Sequence, residues 1–234
     1  EKMLDEVEAT EADIRRDLMD KCRLLMDYML NSLKGSTGLL QIDNHQNTGR
    51  RTGGPINWYD TWRCGFKDPY CNMLFYEAVR CMEQLERYKG NTTDADYYLN
   101  LLPTIKSTFD STFFHATKNR YITTIDVDGV GWDFGATYTN LEALFYGLGD
   151  ATKANDIFAW LDGSRIVSGD TSTGLDIYNK WKFAPRANTL SIESQGTPYW
   201  WLDLGGVANP ANNCSFGNHQ VNGGACLWPT YYDI

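Results

Sequence analysis

The sequence predicts a mainly α-helical chain built from antiparallel helix pairs, with one inserted β-hairpin. Three observations carry this. Apolar residues recur at spacings of three and four over most of the first 160 positions, the period of an α-helix. Only one stretch, Tyr121 to Val127, alternates as a strand does. The helical stretches are separated by long segments rich in rings, glycine and amide side chains, not by short connections alone. Helix pairs with long loops gathered at one end form the plan of an α/α toroid, and no strict internal repeat is visible.

The first helix is expected over residues from about 10 to 33. Ile14, Leu18, Cys22, Leu25, Met29 and Leu33 form its apolar stripe, and Gly35 and Gly38 end it. Residues 35–67 read as a long functional loop. Asp68-Pro69 opens the next helix, with Asp68 as N-cap and Pro69 at the first helical position, where a missing N–H costs nothing. Leu74, Ala78, Cys81, Leu85 and Tyr88 give its stripe, and Gly90 stops it. Thr93 with Asp96 resembles a capping box for a third helix carrying Tyr98, Leu102, Ile105, Phe109 and Phe113. Pro103 inside that helix predicts a kink or a restart. A hairpin follows, with Tyr121, Thr123, Ile125 and Val127 alternating and Asp128-Gly129 at the turn. Leu141, Leu144, Phe145 and Leu148 mark a further helix ended by Gly149. Asp150 caps the next, which carries Ala154, Ile157, Phe158 and Leu161 and stops at Gly163. Residues 164–227 read as loop, and Trp228-Pro229 as the entry to another helix.

Composition narrows the function. At 234 residues the chain is long enough for one sizeable core or two small ones. The net charge of −9 argues against a nucleic-acid partner, which needs a basic face. No apolar run reaches the roughly 18 residues of a membrane span. The six cysteines include no C-x-x-C pair, so no structural zinc site is expected, and no other metal or cofactor motif is present. Cys22 and Cys81 are expected to be free core thiols, and Cys214 and Cys226 flank a glycine loop as a possible bridge. The even count slightly favours an extracellular or periplasmic setting. Asn91-Thr92-Thr93 and Asn213-Cys214-Ser215 fit the glycosylation pattern, one that arises often by chance.

The segment Asn57-Trp58-Tyr59-Asp60-Thr61-Trp62-Arg63, followed by Gly65-Phe66-Lys67-Asp68-Pro69, is the most informative part of the chain. It carries too many charges for a core and too many rings for a solvated loop. A pocket for a neutral, hydroxyl-rich ligand uses both, with rings over the C–H faces of a sugar and carboxylates on its hydroxyls. Gly217-Asn218-His219-Gln220-Val221-Asn222-Gly223-Gly224, then Trp228, repeats that chemistry. A carbohydrate substrate is the expected partner.

The run Trp58-Tyr59-Asp60, continuing through Gly65-Phe66-Lys67-Asp68-Pro69-Tyr70-Cys71-Asn72, resembles the site-loop-into-helix segment of six-hairpin glycosidases, the (α/α)6-barrel glycoside hydrolases. Tyr138-Thr139-Asn140-Leu141-Glu142-Ala143 with Ala159-Trp160-Leu161-Asp162-Gly163 looks like their middle helix pair. Trp181-Lys182-Phe183-Ala184-Pro185-Arg186-Ala187-Asn188-Thr189 is similar to a substrate-side loop, and Asn218 to Gly224 with Trp228 to a late N-G-G loop. The resemblance runs from about residue 55 to the end. It implies an α/α toroid that hydrolyses an oligo- or polysaccharide with two carboxylates, of the inverting type. The departure is length. The chain supplies roughly six helices by its periodicity, half of what the resembled barrel needs. Residues 1–234 are therefore read as one catalytic region of a longer barrel, completed by further sequence or by another chain.

Hydrolysis of a glycosidic bond needs a carboxylic acid to protonate the leaving oxygen and a second carboxylate. Asp60, between Tyr59 and Trp62 and matching the acid-bearing loop of the resembled family, is the candidate acid; the competing role is a pairing with backbone amides or Arg63. Asp203, among Trp200, Trp201 and Leu202, is the candidate second carboxylate. Asp68 is expected first as a helix cap and second as a ligand to hydroxyls. Asp133 is expected in a polar turn, and Glu142 in helix packing or a salt bridge. Trp58, Tyr59, Trp62, Trp200 and Trp201 are candidate stacking platforms, at least two of the tryptophans being expected in the core. Arg63, Arg186, His219, Gln220 and Asn222 are candidate hydroxyl ligands. A non-catalytic carbohydrate-binding protein with the same rings is the competing reading. A sugar isomerase or epimerase is disfavoured, because of three histidines only His219 lies in a site-like loop.

Overall fold

The computed structural model describes residues 12–42, 65–133, 135–168 and 170. The expected long loops over 43–64 and 171–234 lie outside the described residues, as do Cys64, Cys214, Cys226 and the helix expected after Trp228. The described part is mostly helical. It holds five α-helices and two short two-stranded antiparallel sheets. By backbone proximity the chain forms two compact units, one from residues up to Gln41 with Leu74–Phe109, the other from Ile42–Met73 with Asp110 onward.

In the first unit, helix α1 spans Ala12–Asp27 and runs on as a π-helical turn, Tyr28–Ser32. The Leu33 N–H reaches the Tyr28 carbonyl at 3.1 Å, one residue further back than in an α-helix. The buried seam is Met19, Met26 and Leu30, with Cys22, Met29 and Leu33 packed at its edge. The expected stripe is thus corrected at Leu25, which is 61% exposed. The row Met19, Cys22, Met26, Leu30 and Leu33 keeps spacings of three and four, and Leu25 stands next to Met26, about 100° off it. A short 3-10 turn, Gly35–Thr37, then ends the element, with Gly38 at φ 103°. A Cβ at Gly38 would stand 2.5 Å from the Thr108 hydroxyl, so glycine is required there for both space and conformation.

Helix α2, Pro69–Tyr88, and helix α3, Thr92–Phe113, form a hairpin. The link is a Schellman ending, with the Gly90 N–H on the Arg87 carbonyl at 3.0 Å and the Asn91 N–H on the Glu86 carbonyl at 2.9 Å. Gly90 takes the left-handed conformation expected of it. The α2 seam differs from the expected one. Leu74, Tyr88 and Cys81 are exposed, and Phe75, Val79 and Met82 are buried. The buried row also includes Asn72 and Glu86, two polar residues that hide it from a hydrophobic count. Glu86 accepts from Arg23 Nε at 2.7 Å, Arg23 Nη2 at 2.8 Å and Asn91 Nδ2 at 2.7 Å. Those bonds hold its carboxyl below the usual range, Arg23 contributing most. Asn91 is therefore a structural ligand of Glu86, which argues against a glycan on its amide.

The α3 seam is as expected, with Tyr98, Ile105, Phe109 and Phe113 buried. Pro103 lies inside an uninterrupted helix, so no restart occurs. The expected capping box is displaced. Asn91 precedes the helix and its carbonyl accepts from Ala95, while Asp96 pairs with Arg87 at 3.1 Å.

In the second unit there are two short hairpins where one was expected. Strand β1, Phe114–His115, pairs with β2, Arg120–Tyr121. Strand β3, Thr124–Ile125, pairs with β4, Gly131–Trp132, around the expected Asp128-Gly129 turn. Asp126 builds that turn, with Oδ1 accepting from the Asp128 and Val130 N–H groups, both at 2.9 Å. Helices α4, Thr137–Phe145, and α5, Ala151–Leu161, follow and pack on each other and on β2. Asp150 caps α5 as expected, accepting from the Lys153 N–H at 2.9 Å. Gly147, not Gly149, ends α4, since its N–H bonds the Leu144 carbonyl and that of Leu148 the Ala143 carbonyl. Phe145 and Phe158, expected in the core, are exposed, while Trp160 is fully buried.

The largest polar constraint in this unit is Arg120, which is fully buried. Its guanidinium makes a two-pronged pair with Asp170, bonds Asp133 at 2.9 Å and lies 4.7 Å from the Trp160 ring centroid. Trp160 Nε1 completes the set by donating to Asp170 at 2.9 Å. Arg120→Ala removes the cation and leaves Asp170 buried without it. The expected loss is about 3–5 kcal/mol of stability, read as a lower denaturant midpoint at unchanged m-value.

Candidate functional site

Buried polar side chains are concentrated in the second unit. Every fully buried polar or charged residue among those described, Glu86 excepted, belongs to it. Most have a structural partner. Asn140 reads the backbone of Tyr121, accepting from its N–H at 2.7 Å and donating to its carbonyl at 3.1 Å. Thr124 Oγ1 donates between the Gly65 and Lys67 carbonyls, 2.9 and 3.0 Å away. Lys67 pairs with Ile125 through both backbone groups, at 3.1 and 3.0 Å. The chain entering α2 is thereby clamped to the β3–β4 hairpin.

This clamp sets the position of Asp68, which is 1% exposed. Its Oδ1 accepts from the Tyr70 N–H at 3.0 Å and its Oδ2 lies 3.4 Å from Cys71 Sγ. Asp68 is the expected N-cap, with Pro69 at the first helical position. Asn72 adds a second tie, its Nδ2 donating to the Asp68 carbonyl at 2.8 Å.

Beside Asp68 stands Glu142, on α4. All of Thr137 to Ala143 is buried, so α4 has no solvent face over that stretch. Asn140 faces β2. Two residues on, about 200° round the helix, Glu142 lies in the field of Asp68. It is 1% exposed, and neither carboxyl oxygen has a hydrogen-bond partner among the described residues. The expected salt bridge does not exist there. Burial first, and then the charge of Asp68, push the Glu142 carboxyl up to about 8. It is therefore neutral at pH 7. Tyr70 shares the neighbourhood. Its hydroxyl is pushed above the usual range by burial first, then by Glu142, Cys71, Tyr146 and Asp68. Tyr70 and Tyr146 are both half-buried, whereas Glu142 is closed off from solvent.

Of the predicted site residues only Asp68 is described. Asp60, Asp203, Trp58, Tyr59, Trp62, Arg63, Arg186, Trp200, Trp201, His219, Gln220 and Asn222 lie outside the described residues. Asp133 forms the expected polar turn, its Oδ1 accepting from the Gly135 N–H at 2.9 Å. It also pairs with Lys118 at 2.6 Å. Burial opposes its charge, but Arg120 and Lys118 hold the carboxyl below the usual range. Among the described residues no group of three or more His, Cys, Asp or Glu side chains is placed to hold a metal ion. No helix among them is long and apolar enough to cross a membrane.

No protein-family model matches the sequence, and no curated protein is significantly similar to it. Among solved structures, the fold is similar to the crystal structure of a GH78-family rhamnosidase of Bacillus sp. GL1, with 19% identity and a TM-score of 0.49. The match covers 62% of this chain and 14% of the rhamnosidase chain.

Glu142 makes stability depend on pH in a stated direction. Unfolded, it titrates near the ordinary 4.5; folded, near 8. Between those values the folded state holds a proton that the unfolded state has lost. Its stabilising contribution is complete below about 4.5 and is lost as pH rises through about 8. Glu142→Gln keeps the neutral shape and removes the titration. The variant is expected to gain on the parent chain as pH rises through this window, by up to about 4 kcal/mol. Urea unfolding at pH 5 and pH 8 measures it, and an equal difference at both values would contradict the assignment.

Proposed function

We propose that the chain is the catalytic region of a glycoside hydrolase acting on an oligo- or polysaccharide. It would form part of an α/α toroid, residues 1–234 contributing one region and further sequence or another chain the rest. The reaction is acid–base hydrolysis with two carboxylates, of the inverting type. One observation carries this reading. Two buried carboxyl groups sit side by side in the second unit, Glu142 kept neutral and Asp68 bonded to the N–H of Tyr70, where α2 begins. A carboxyl kept neutral at pH 7 beside a second carboxyl is the kind of group that acid–base hydrolysis uses as its proton donor. Asp68 is also the end of the ring-and-carboxylate segment that starts at Asn57, which supports a site for a hydroxyl-rich ligand at this end of α2.

Asp60 and Asp203 are the proposed catalytic pair from the aromatic loops. Trp58, Tyr59, Trp62, Trp200 and Trp201 are the proposed platforms. Arg63, Arg186, His219, Gln220 and Asn222 are proposed hydroxyl ligands, with Asp68 capping the helix at the rim. The second reading, a carbohydrate-binding protein without turnover, is favoured by one feature: Glu142 is only 1% exposed.

A panel of aryl glycosides and oligosaccharides separates the two. Release of reducing sugar is expected, with the anomer of the first product inverted by NMR. Binding without turnover selects the second reading. Asp60→Asn is expected to lower kcat about 100- to 10,000-fold with sugar binding retained; near-parent turnover would remove Asp60 from catalysis.

A further inference from the structure

An unpartnered carboxyl at 1% exposure is unusual in a folded chain. Buried polar groups are nearly always paired, and each exception calls for a cause. Three structural causes fail here. A salt bridge is absent among the described residues, and the charge that acts on Glu142 there is that of another carboxylate, Asp68. A helix-capping role is excluded by position, since Glu142 is the sixth residue of α4 and the first turn is behind it. A bond to its own helix is excluded too, because both oxygens lack a partner. What remains is a carboxyl with an O–H to donate and no acceptor, next to a group that makes its ionisation costly.

Among the described residues the titratable groups of this cluster are Asp68, Tyr70 and Cys71 at the start of α2, and Tyr146 just past the end of α4. A carboxyl kept neutral among them has an O–H to give, which an oxygen-bearing ligand accepts. Tyr70 and Tyr146 are half-buried. A neutral carboxyl grouped with two phenols combines ring surface with one strong donor, the chemistry that a sugar ring and its linking oxygen use.

We propose that Glu142 is the group that donates the proton to the leaving oxygen, and that Asp68 is a positioning residue that keeps that proton in place. This rests on the hydrolase reading above and changes one part of it, the identity of the acid, leaving a second carboxylate to activate water. The balance is complete. As the C–O bond breaks, its electron pair goes to the leaving oxygen, which takes the Glu142 proton. Water supplies the new C–O bond, and its proton goes to the second carboxylate. Exchange with solvent returns that proton to Glu142. Burial, and then the charge of Asp68, make the donor available at pH 7, where an ordinary glutamate is ionised.

The test uses leaving-group dependence, which a merely structural role would not produce. Glu142→Gln is compared with the parent protein on a dinitrophenyl glycoside, whose leaving group needs no proton, and on an alkyl glycoside or oligosaccharide, whose leaving group does. Expected is a loss of about 100- to 10,000-fold on the second class and less than about 10-fold on the first. Asp68→Asn is the companion, since asparagine caps a helix as well as aspartate does. It is expected to move the alkaline limb of the pH–rate profile to lower pH. Carbon-13 NMR of labelled glutamate reads the Glu142 titration directly. Equal losses on both substrate classes, or a Glu142 signal titrating near 4.5, would overturn the acid role while leaving hydrolysis intact. If Glu142→Gln does not fold, an unshifted alkaline limb in Asp68→Asn overturns it instead. No hydrolysis of either class by the parent protein overturns the hydrolase reading and this one with it.

Discussion

The second unit is organised by the need to bury one guanidinium. Arg120 is inaccessible to solvent, and a lone buried charge of that kind is too costly to keep. Asp133 and Asp170 outweigh the cost of burial and hold the side chain charged. These partners lie just before α4 and just beyond α5, so satisfying one side chain closes β2, α4 and α5 around it. Trp160 adds its ring face to the cation and its indole N–H to Asp170. Arg165 repeats the device on a smaller scale, reaching from beyond α5 to the carbonyls of Lys118 and Asn119, 2.9 and 3.1 Å away. Once α4 is fixed in this way, the remaining contacts follow from helix geometry. Asn140 meets the backbone of Tyr121 on one side, and Glu142 meets the start of α2 on the other.

Much of the helix plan was legible in the sequence, because termini are set by local chemistry. Asp68-Pro69, Gly90, Asp150 and Gly163 sit where capping rules put them. Seams were less legible. The α3 stripe was found because its buried residues are large and apolar. The α2 stripe was missed because Asn72 and Glu86 occupy it, and a hydrophobic count moves away from polar residues. Yet both are satisfied, Asn72 by the Asp68 carbonyl and Glu86 by Arg23 and Asn91. In α1 the sequence offers Leu25 and Met26 side by side as apolar candidates, and the buried one is Met26. The second hairpin was missed because two-residue strands are too short to show alternation.

Of the candidate site, Asp68 was visible as a cap and Glu142 was passed over. Glu142 sits in a helix whose first seven residues are all buried, so α4 has no amphipathic pattern to separate a functional carboxyl from a solvated one. One signal did exist. Thr137, Thr139, Asn140 and Glu142 put four polar residues among six in a segment flanked by apolar ones, which is more than a packing helix needs. The aromatic loops drew attention by their composition; the carboxyl pair is visible only when α4 and α2 are brought together.

Arg120 and Glu142 also show two different answers to a buried ionisable group. Arg120 keeps its charge, and every element around it contributes compensation. Glu142 loses its charge, and nothing among the described residues compensates it. Holding a glutamate neutral at pH 7, against an ordinary value of 4.5 in the unfolded chain, costs about 3 kcal/mol. That is a sizeable share of a typical domain's 5–15 kcal/mol. A leucine or methionine of similar size would fill the position without that cost and without orphaned oxygens. A purely structural account therefore leaves the residue unexplained, whereas proton donation requires the two properties that make it costly: a retained proton and an oxygen with no partner of its own.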